Sequence, residues 1–330
     1  MSSPNFDDSF KLLISSLLST SFSTYPDCNY YSEHDFNISA QKIKKENSCI
    51  SLFHINIRSL NANHSKLLQL LITLNFKFDV IVLSEVWAFN ISMYKNILPN
   101  YNFYFKLPKD SCIGGIGVFI NSSFSVNVRN DIILDCMTNN NLAESIFLEL
   151  TKGNYQCIIG GIYRHPNQSI ATFTSSLEAV LCSTNLIHSH CEWFLIGDLN
   201  INVLKYDSDS ATTKFIDMLI SYNFLPLSLL PTRITDTTST LIDHIFYKSN
   251  VKAKYNNIEN IFTGTLVTDI TDHLANFVIL PSPATNKNTN DRPLIRIFSP
   301  TNKKLFLDEL SNCDWNSTIY ANNEVNIAFA

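Results

Sequence analysis

The chain has 330 residues, of which 45% are hydrophobic and 12% are aromatic, so it can form a large core and is not disordered throughout. Only 16% of the residues are charged and the formal net charge is −5, which excludes a uniformly basic nucleic-acid coat but leaves room for a basic strip on one face. No apolar run reaches the ~20 residues of a membrane-spanning helix, and we expect no membrane partner.

The N-terminus predicts no signal peptide, because Asp7 and Asp8 stand where such peptides carry positive charge and serines dilute the apolar segment. Eight cysteines are present, and no two of them have C-x-x-C spacing. This pattern favours reduced thiols over a zinc cluster or a disulfide framework. We therefore expect an intracellular protein, nuclear or cytoplasmic and not secreted.

Composition divides the chain into three parts. Residues 1–48 are rich in Ser, Asn and Tyr, and we expect a partly disordered N-terminal extension. Residues 49–280 alternate strand-like and helix-like segments and form the predicted domain. Residues 281–330 open with PSPATNKNTNDRP, a polar composition that is typical of a linker.

Short apolar runs within the predicted domain indicate buried strands. Strands outnumber helices and several follow each other directly, which predicts an α/β protein of the α+β type, with two packed mixed β-sheets flanked by helices. The predicted strands span residues 50–56, 79–84, 101–106, 115–120, 145–150, 155–163, 193–196, 241–247 and 274–280.

Three segments have the apolar spacing of amphipathic helices, in which every third or fourth residue faces the core. The apolar residues that define them are Leu67, Leu68, Leu71 and Leu74 in the first segment, Ile170, Phe173, Leu177, Val180 and Leu181 in the second, and Phe215, Met218, Leu219 and Tyr222 in the third.

Polar side chains follow or interrupt several predicted strands. A carboxylate at a strand end is costly to desolvate unless it is paired or binds a cation, and Mg²⁺ typically takes one or two protein carboxylates. A single strand-end Asp is more often a turn or helix cap, so the prediction of a functional pocket rests on the whole ordered set. We predict that the set lines one polar pocket; it consists of Asn56, Glu85, Tyr163, Arg164, Asp198, Asn200, Asp243, Asp272 and His273.

A family resemblance rests on the ordered segments HINIRSL, IVLSEVW, GGIGVFI, GGIYRHPN, FLIGDLNIN, PTRIT with STLIDHIF, and TDITDH. They resemble the endonuclease/exonuclease/phosphatase superfamily, and more closely the apurinic-type endonuclease domain of non-LTR (LINE-like) retrotransposons. PTRIT followed by a LIDHIF-like strand favours the retroelement branch. The resemblance implies a four-layer α/β sandwich that cuts phosphodiesters with one divalent ion, Mg²⁺, with Mn²⁺ as a substitute.

The resemblance assigns three residues to the metal. Glu85 matches the metal-binding glutamate, Asn56 matches the asparagine that orients this cluster, and Asp272 matches a late carboxylate near the ion. A cation on a phosphate oxygen offsets the charge that develops as the phosphodiester is attacked.

Five further residues match catalytic positions of the family. Asp198 matches the residue that orients or deprotonates the attacking water. Asn200 and Tyr163 match phosphate-contacting groups. His273 matches the histidine that contacts the scissile phosphate, and Asp243 matches the carboxylate that holds it. Such a carboxylate fixes the imidazole tautomer and favours its protonated form.

Arg58, Arg164, Arg233 and Lys205 are candidates for phosphate contacts with DNA, and a solvated surface position is at least as good an interpretation of each. Arg58 stands where apurinic repair enzymes carry a second acidic residue, which argues against repair activity. His165 replaces the first proline of a frequent YRPP turn.

Two other features are interpreted as structural. His54, His64 and His244 are the first, and His244 directly follows Asp243 in a predicted strand, so it should point to the opposite face. The glycines of GGIG predict a tight turn into a strand, since no Lys-Ser/Thr of a phosphate-binding loop follows them.

Three functions are compatible with these residues. The first is a Mg²⁺-dependent endonuclease that nicks double-stranded target DNA, so that the 3′-hydroxyl primes a reverse transcriptase domain on element RNA. The second is another phosphodiesterase or phosphatase of the same fold, acting on lipid, inositol phosphate or RNA, because fold does not fix substrate. The third is a catalytically silent, domesticated remnant.

The intact acidic set and the PTRIT–LIDHIF pairing favour the endonuclease. The segment FLDELSNCDW resembles the linker before the reverse transcriptase of such polyproteins, and we expect a fragment or a truncated copy of a longer protein.

Overall fold

A computed structural model describes most of the predicted domain and parts of both flanking regions. The described residues are 26–43, 48–88, 91–109, 113–134, 143–187, 191–249, 260–281, 300–312 and 314.

Fifteen β-strands lie within these residues. In chain order they are β1 (Cys28–Tyr31), β2 (Ser48–Asn56), β3 (Val80–Ser84), β4 (Tyr101–Lys106), β5 (Ile116–Asn121), β6 (Ser125–Val128), β7 (Ala143–Lys152), β8 (Tyr155–Arg164), β9 (Glu192–Asp198), β10 (Leu225–Pro226), β11 (Arg233–Ile234), β12 (Ser239–Thr240), β13 (Asp243–Lys248), β14 (Phe262–Leu266) and β15 (Ala275–Pro281).

Five α-helices are found in the same part of the chain: α1 (Glu33–Lys42), α2 (Leu60–Thr73), α3 (Ile170–Ile187), α4 (Ser210–Ser221) and α5 (Pro300–Asn312). Two short 3₁₀ helices span Ile91–Tyr94 and Val203–Lys205. None of the helices in the described ranges is long and apolar enough to cross a bilayer.

The strands form two large sheets. The first has the order β1-β14-β15-β2-β3-β5-β4 and the second the order β10-β13-β9-β8-β7-β6, while β11 and β12 form a small antiparallel pair. Both large sheets are mixed, since β2 runs parallel to β3 but antiparallel to β15, and β8 runs parallel to β9 but antiparallel to β7. The predicted architecture of two mixed sheets flanked by helices is confirmed.

Alternation along β2 shows how the sheets pack. Leu52 lies in the core shared with the second sheet, whereas Phe53 and Ile55 lie in a separate core on the outer face of the first sheet. Because side chains on a strand alternate between its faces, His54 and Asn56 point with Leu52 into the space between the sheets.

Helices cover the outer faces of both sheets. The aromatic ring of Phe36 in α1 and the apolar face of α2 pack on the first sheet. On the second sheet, Phe215 of α4 contacts Phe246 of β13 and Phe173 of α3, with ring centroids 6.0 and 6.1 Å away. The result is the expected order of helix, sheet, sheet and helix layers.

The nine predicted strands correspond to β2, β3, β4, β5, β7, β8, β9, β13 and β15, and the three predicted helices to α2, α3 and α4. The elements that the sequence did not predict are short or polar. Helix α1 buries only Phe36 and Ala40, β6 is largely exposed, and β14 contains two threonines and a glycine. Weak apolar patterns of this kind give little signal in a single sequence.

The N-terminal boundary predicted at residue 49 lies too late in the chain. Strand β1 pairs in parallel with β14, and Phe36 is fully buried with its ring edge-on to Phe277 at 4.9 Å. Both elements therefore belong to the domain. Residues 1–25 and 282–299 lie outside the described residues, and α5 falls in the predicted linker.

Truncation of Phe36 tests whether α1 is part of the domain. Phe36→Ala should lower the free energy of unfolding by about 3–5 kcal/mol, because it removes a buried aromatic ring. Ile38→Ala in the same helix is the control, since Ile38 is 46% exposed and its loss should change stability by less than about 0.5 kcal/mol. Urea unfolding measures both, and equal effects would contradict the packing of α1.

Candidate active site

The candidate site lies where strand ends of the two sheets meet. Asn56 is the last residue of β2 and is in register with Ser84, the last residue of β3. In the second sheet Asp198, the last residue of β9, is in register with Asp243, the first residue of β13. All four side chains are buried, so their polar groups require partners within the protein.

The amide of Asn56 joins the two sheets. Its Nδ2 donates to Glu85 Oε1 and to Asp198 Oδ2, each at 2.8 Å. Its Oδ1 accepts the backbone N–H of Arg58 at 3.1 Å. Both amide hydrogens and the amide oxygen are therefore used, and one side chain fixes the distance between two carboxylates that lie far apart in the sequence.

Unusual backbone conformations position these carboxylates. Glu85 and Asn200 adopt positive φ angles of 56° and 49°, a left-handed conformation that costs about 1–3 kcal/mol for a non-glycine residue. Gly197, which precedes Asp198, has a φ of 151°, and a Cβ there would overlap the carbonyl oxygen of Ile162. Only glycine fits at this point.

The carboxylate of Asp198 is fully buried and accepts the N–H of Asn200 on Oδ1 at 2.9 Å. Burial, together with the charge of Asp243, raises the pKa of Asp198, while His273 acts in the opposite direction. A carboxylate with a raised pKa is suited to accept a proton near neutral pH. The amide of Asn200 is held in turn, because its Nδ2 donates to the carbonyl of Arg164 at 2.8 Å.

Asp243 and His273 form a buried carboxylate–imidazole pair. His273 Nδ1 lies 2.8 Å from Asp243 Oδ2, which also accepts the hydroxyl of Thr232 at 2.6 Å. Burial alone lowers the pKa of His273, but the charge and hydrogen bond of Asp243 outweigh it and raise the pKa to about 9. The imidazole is therefore protonated at neutral pH, and its Nε2 remains available for a substrate oxygen.

His54 belongs to the same network, although the sequence indicated a structural residue. Ser84 Oγ accepts the backbone N–H of Asp198 at 3.0 Å, so its hydroxyl hydrogen is free to donate to His54 Nε2 at 3.0 Å. The remaining Nδ1–H faces Asp243 Oδ1 at 3.9 Å. Burial lowers the pKa of His54 to about 4, so the ring next to Asp243 is neutral.

Ser84, Thr232 and His54 were missed as site residues. A signal for His54 is present in the sequence, because it lies two residues before Asn56 and so on the same face of β2. Nothing in a single sequence marks Ser84 or Thr232, since hydroxyl residues at strand ends are common.

Tyr163, in β8, stands beside Glu85. Burial together with the charges of Glu85 and Asp198 raises the pKa of Tyr163. The phenol therefore stays protonated and can donate a hydrogen bond to an anion.

Asp272 and two arginines form the rim of the site. Arg58 Nη1 donates to Asp272 Oδ1 at 2.9 Å, and Arg233 Nε and Nη2 approach Oδ2 at 2.9 and 2.8 Å. Burial acts to raise the pKa of Asp272, but Arg233, His273 and Arg58 together lower it. Because both carboxylate oxygens are bound by arginines, Asp272 is not an open ligand of the predicted metal here.

Arg164 does not lie at the surface. Its side chain is buried, and its guanidinium donates to the backbone carbonyls of Leu199 at 2.6 Å, Gln168 at 2.5 Å and Asn200 at 2.8 Å. This position does not support the predicted phosphate contact. Arg164 instead fixes the loop that carries Asn200. Arg58 and Arg233, by contrast, have side chains that are 53% and 43% exposed.

Two sets of ligands could hold a cation. Ligand atoms of Asp198, Asp243 and His273 lie within 4.8 Å of one another, but Asp198 already accepts the N–H of Asn200 and the Asn56 amide, and His273 Nδ1 is hydrogen-bonded to Asp243. Glu85 is only partly buried and offers carboxylate oxygen, the ligand type that Mg²⁺ prefers. The donor chemistry therefore fits a hydrated divalent ion at Glu85 and a proton on His273.

No family model matches the chain, and no curated protein matches it. Among solved structures, the endonuclease domain of TRAS1, a telomere-specific non-LTR retrotransposon, aligns over 70% of this chain and 98% of its own, with a TM-score of 0.53 and 11% identity. The chain has the endonuclease/exonuclease/phosphatase fold.

Two further structures share this fold. AP endonuclease LMAP from Leishmania major aligns over 84% of this chain and 99% of its own, with a TM-score of 0.57 and 9% identity. D. rerio TDP2 complexed with single-strand DNA product aligns over 70% and 98%, with a TM-score of 0.53 and 13% identity. At these identities the similarity establishes the fold and not the activity.

Removal of the Asp243 charge tests whether Asp243 keeps His273 protonated. Asp243→Asn should lower the pKa of His273, which is about 9 in the parent, by about 1–3 units, because an opposite charge at hydrogen-bond distance has this effect. A ¹⁵N NMR titration of the histidine rings measures it. Asp308→Asn, in the exposed part of α5, is the control and should leave the titration unchanged.

The same pair predicts how stability depends on pH. The pKa of His273 is raised in the folded state, so the pair's contribution to the free energy of unfolding is fully present below the unfolded pKa of about 6.5. This contribution is lost as pH rises through about 9. The stability difference between parent and Asp243→Asn should therefore shrink across this window. A difference that is constant from pH 6 to pH 10, measured by urea unfolding, would contradict a charged His273–Asp243 pair.

Proposed function

We propose that the chain is a metal-dependent DNA endonuclease that nicks one strand of double-stranded DNA. The observation that carries the proposal is the Asn56 amide, which binds Glu85 and Asp198 at 2.8 Å each. It brings a partly exposed carboxylate suited to a cation next to a buried carboxylate suited to accept a proton. The Asp243–His273 pair adds an imidazolium to the same network.

Each group then has a role in phosphodiester hydrolysis. Asp198 takes a proton from the attacking water, whose oxygen forms the new bond to phosphorus. His273 and Tyr163 donate hydrogen bonds to phosphate oxygens as negative charge builds up on them. The bond between phosphorus and the 3′-oxygen breaks, and that oxygen gains a proton to become a 3′-hydroxyl.

Glu85, oriented by Asn56, would hold the divalent ion, and Asp272 would approach it only by exchanging an arginine partner. When bound, Mg²⁺, or Mn²⁺ in its place, supplies positive charge next to the phosphate. Arg58 and Arg233 have exposed donors on the rim and are the candidates for contacts to neighbouring DNA phosphates.

The retroelement branch is the finer part of the proposal. Its support is that the motifs PTRIT, LIDHIF and TDITDH contact one another. Thr232 of the first motif donates to Asp243 of the second at 2.6 Å, and Arg233 binds Asp272 of the third at 2.9 Å. We infer a role in which the nicked 3′-hydroxyl primes a reverse transcriptase domain on element RNA, which implies action in the nucleus.

A plasmid assay tests the activity. The full chain with Mg²⁺ should convert supercoiled plasmid to the nicked form, and chelation with EDTA should abolish this. Asp198→Asn and His273→Asn should each lower the rate by about 10²–10⁴-fold, the usual contribution of a positioned acid or base. Asp308→Asn on α5 is the matched control and should nick at the parent rate.

Two results would contradict the proposal. Hydrolysis of an inositol phosphate, a phospholipid or RNA without nicking would assign the same site to another substrate. A folded chain with none of these activities would indicate a catalytically silent remnant.

A further inference from the structure

A second carboxylate–imidazole pair lies on the tyrosine side of the site. Glu144, in β7, is in register with Tyr163 of the neighbouring β8. His165 follows β8 directly, and its Nε2 lies 2.9 Å from Glu144 Oε1. The ring of His165 also packs edge-on against Tyr163, with centroids 5.0 Å apart. The pair is thus adjacent to Tyr163, whose pKa the charge of Glu85 raises.

The glycine turn before β5 is built around this pair. Gly114 has a φ of 114°, and a Cβ there would lie 2.9 Å from His165 Cε1 and 3.0 Å from Glu144 Oε2. The backbone N–H of Gly115 donates to Glu144 Oε2 at 3.1 Å. The GGIG segment therefore does more than turn the chain, because it brings the backbone against the carboxylate and leaves room for the imidazole.

The carboxylate of Glu144 is almost completely buried, whereas the side chain of His165 is 25% exposed. One oxygen of Glu144 accepts a backbone N–H and the other accepts His165 Nε2. A buried carboxylate with this partner favours the charged imidazole: the hydrogen bond of Glu144, partly opposed by burial, raises the pKa of His165. Glu85 reinforces this effect and Arg164 opposes it.

The two histidines bind their carboxylates through different ring nitrogens. His273 binds Asp243 through Nδ1, which leaves Nε2 for a substrate. His165 binds Glu144 through Nε2, which leaves Nδ1, and this atom has no hydrogen-bond partner among the residues that the structure describes. In the protonated form that Glu144 favours, this nitrogen carries an N–H that can donate to an anion.

Two of the candidate phosphate-binding arginines, Arg58 and Arg233, lie on the rim beside Asp272, and Arg164 is bound to backbone carbonyls. A polyanionic substrate has to approach a site that contains Glu85, Asp198 and Asp243, so a donor on the Tyr163 side whose charged form is favoured has a clear electrostatic use.

We propose that His165, held by Glu144, binds a phosphate of the DNA backbone next to the phosphodiester that is cleaved. This inference rests on the proposed function and deepens it, since it assigns a DNA contact on the Tyr163 side of the site. His165 is a substrate-binding residue, and Glu144 is its positioning residue.

Duplex binding without cleavage tests the proposal. Affinity of the full chain for a fluorescent duplex oligonucleotide is measured by anisotropy in EDTA at several salt concentrations. His165→Gln keeps a donor for Glu144 but removes the charge and the free Nδ1–H. It should weaken binding about tenfold, the equivalent of one hydrogen bond to a charged group. It should also reduce the slope of log affinity against log salt by about 0.9, the value for one lost phosphate contact.

His34→Gln is the matched control, because His34 is an exposed histidine on α1, which covers the outer face of the first sheet. It should leave both affinity and slope unchanged. If folded His165→Gln protein has the same slope of log affinity against log salt as the parent, the proposal is overturned. The pair then only stabilises the glycine turn. A structural role also predicts a lower unfolding midpoint without a change of slope.

A second measurement needs no substitution. Diethyl pyrocarbonate modifies accessible imidazoles, and mass spectrometry then locates the modified residues. Added duplex should protect His165 in the parent chain and not His34. Equal modification of His165 with and without duplex would overturn the proposal.

The outcomes separate this inference from the proposed function. A chain that nicks plasmid but keeps its salt slope in His165→Gln retains the function and loses the inference. A chain that binds duplex through His165 but does not nick loses the function and keeps only the phosphate contact of His165. A chain that does not bind duplex loses both.

Discussion

The site depends on one buried amide. Asn56 is the last residue of a strand in the first sheet, and its Nδ2 binds a carboxylate from each sheet at 2.8 Å. The carboxylates of Glu85 and Asp198 share this one amide and repel each other. The amide offsets the repulsion without adding charge. Replacing it by an aspartate would place a third negative charge in the same space, which explains why an amide stands here.

The other carboxylates of the site are paired with histidines or arginines. Asp243 is paired with His273, Glu144 with His165, and Asp272 with two arginines on the rim. Each of these carboxylates therefore has a partner, and each of the two imidazole rings keeps one nitrogen for another ligand. Paired charges and shared hydrogen bonds hold these side chains in place, and a hydrolytic site requires such positioning to hold water and phosphate in register.

The sequence predicted the layered fold because the buried strands are continuous apolar runs, and it predicted Asn56, Glu85, Asp198 and Asp243 because each interrupts or ends such a run. It did not predict β1 and α1, whose apolar content is low, and the position of His54, two residues before Asn56 on the same face of β2, was a signal that the motifs did not use. Arg164 could not be placed from sequence, since a buried arginine that binds three carbonyls looks the same as an exposed one. The contact between GGIG and the Glu144–His165 pair joins segments whose proximity only the fold establishes.

The most direct measurement is anomalous diffraction from crystals of the full chain soaked in Mn²⁺. The account predicts one peak within coordination distance of the Glu85 carboxylate, with the Asn56 amide still bound to Glu85 and Asp198 and with His273 still bound to Asp243. A manganese ion seated instead among Asp198, Asp243 and His273, with the imidazole as a ligand, would contradict it, because that ring could not then be the proton-bearing group of the site.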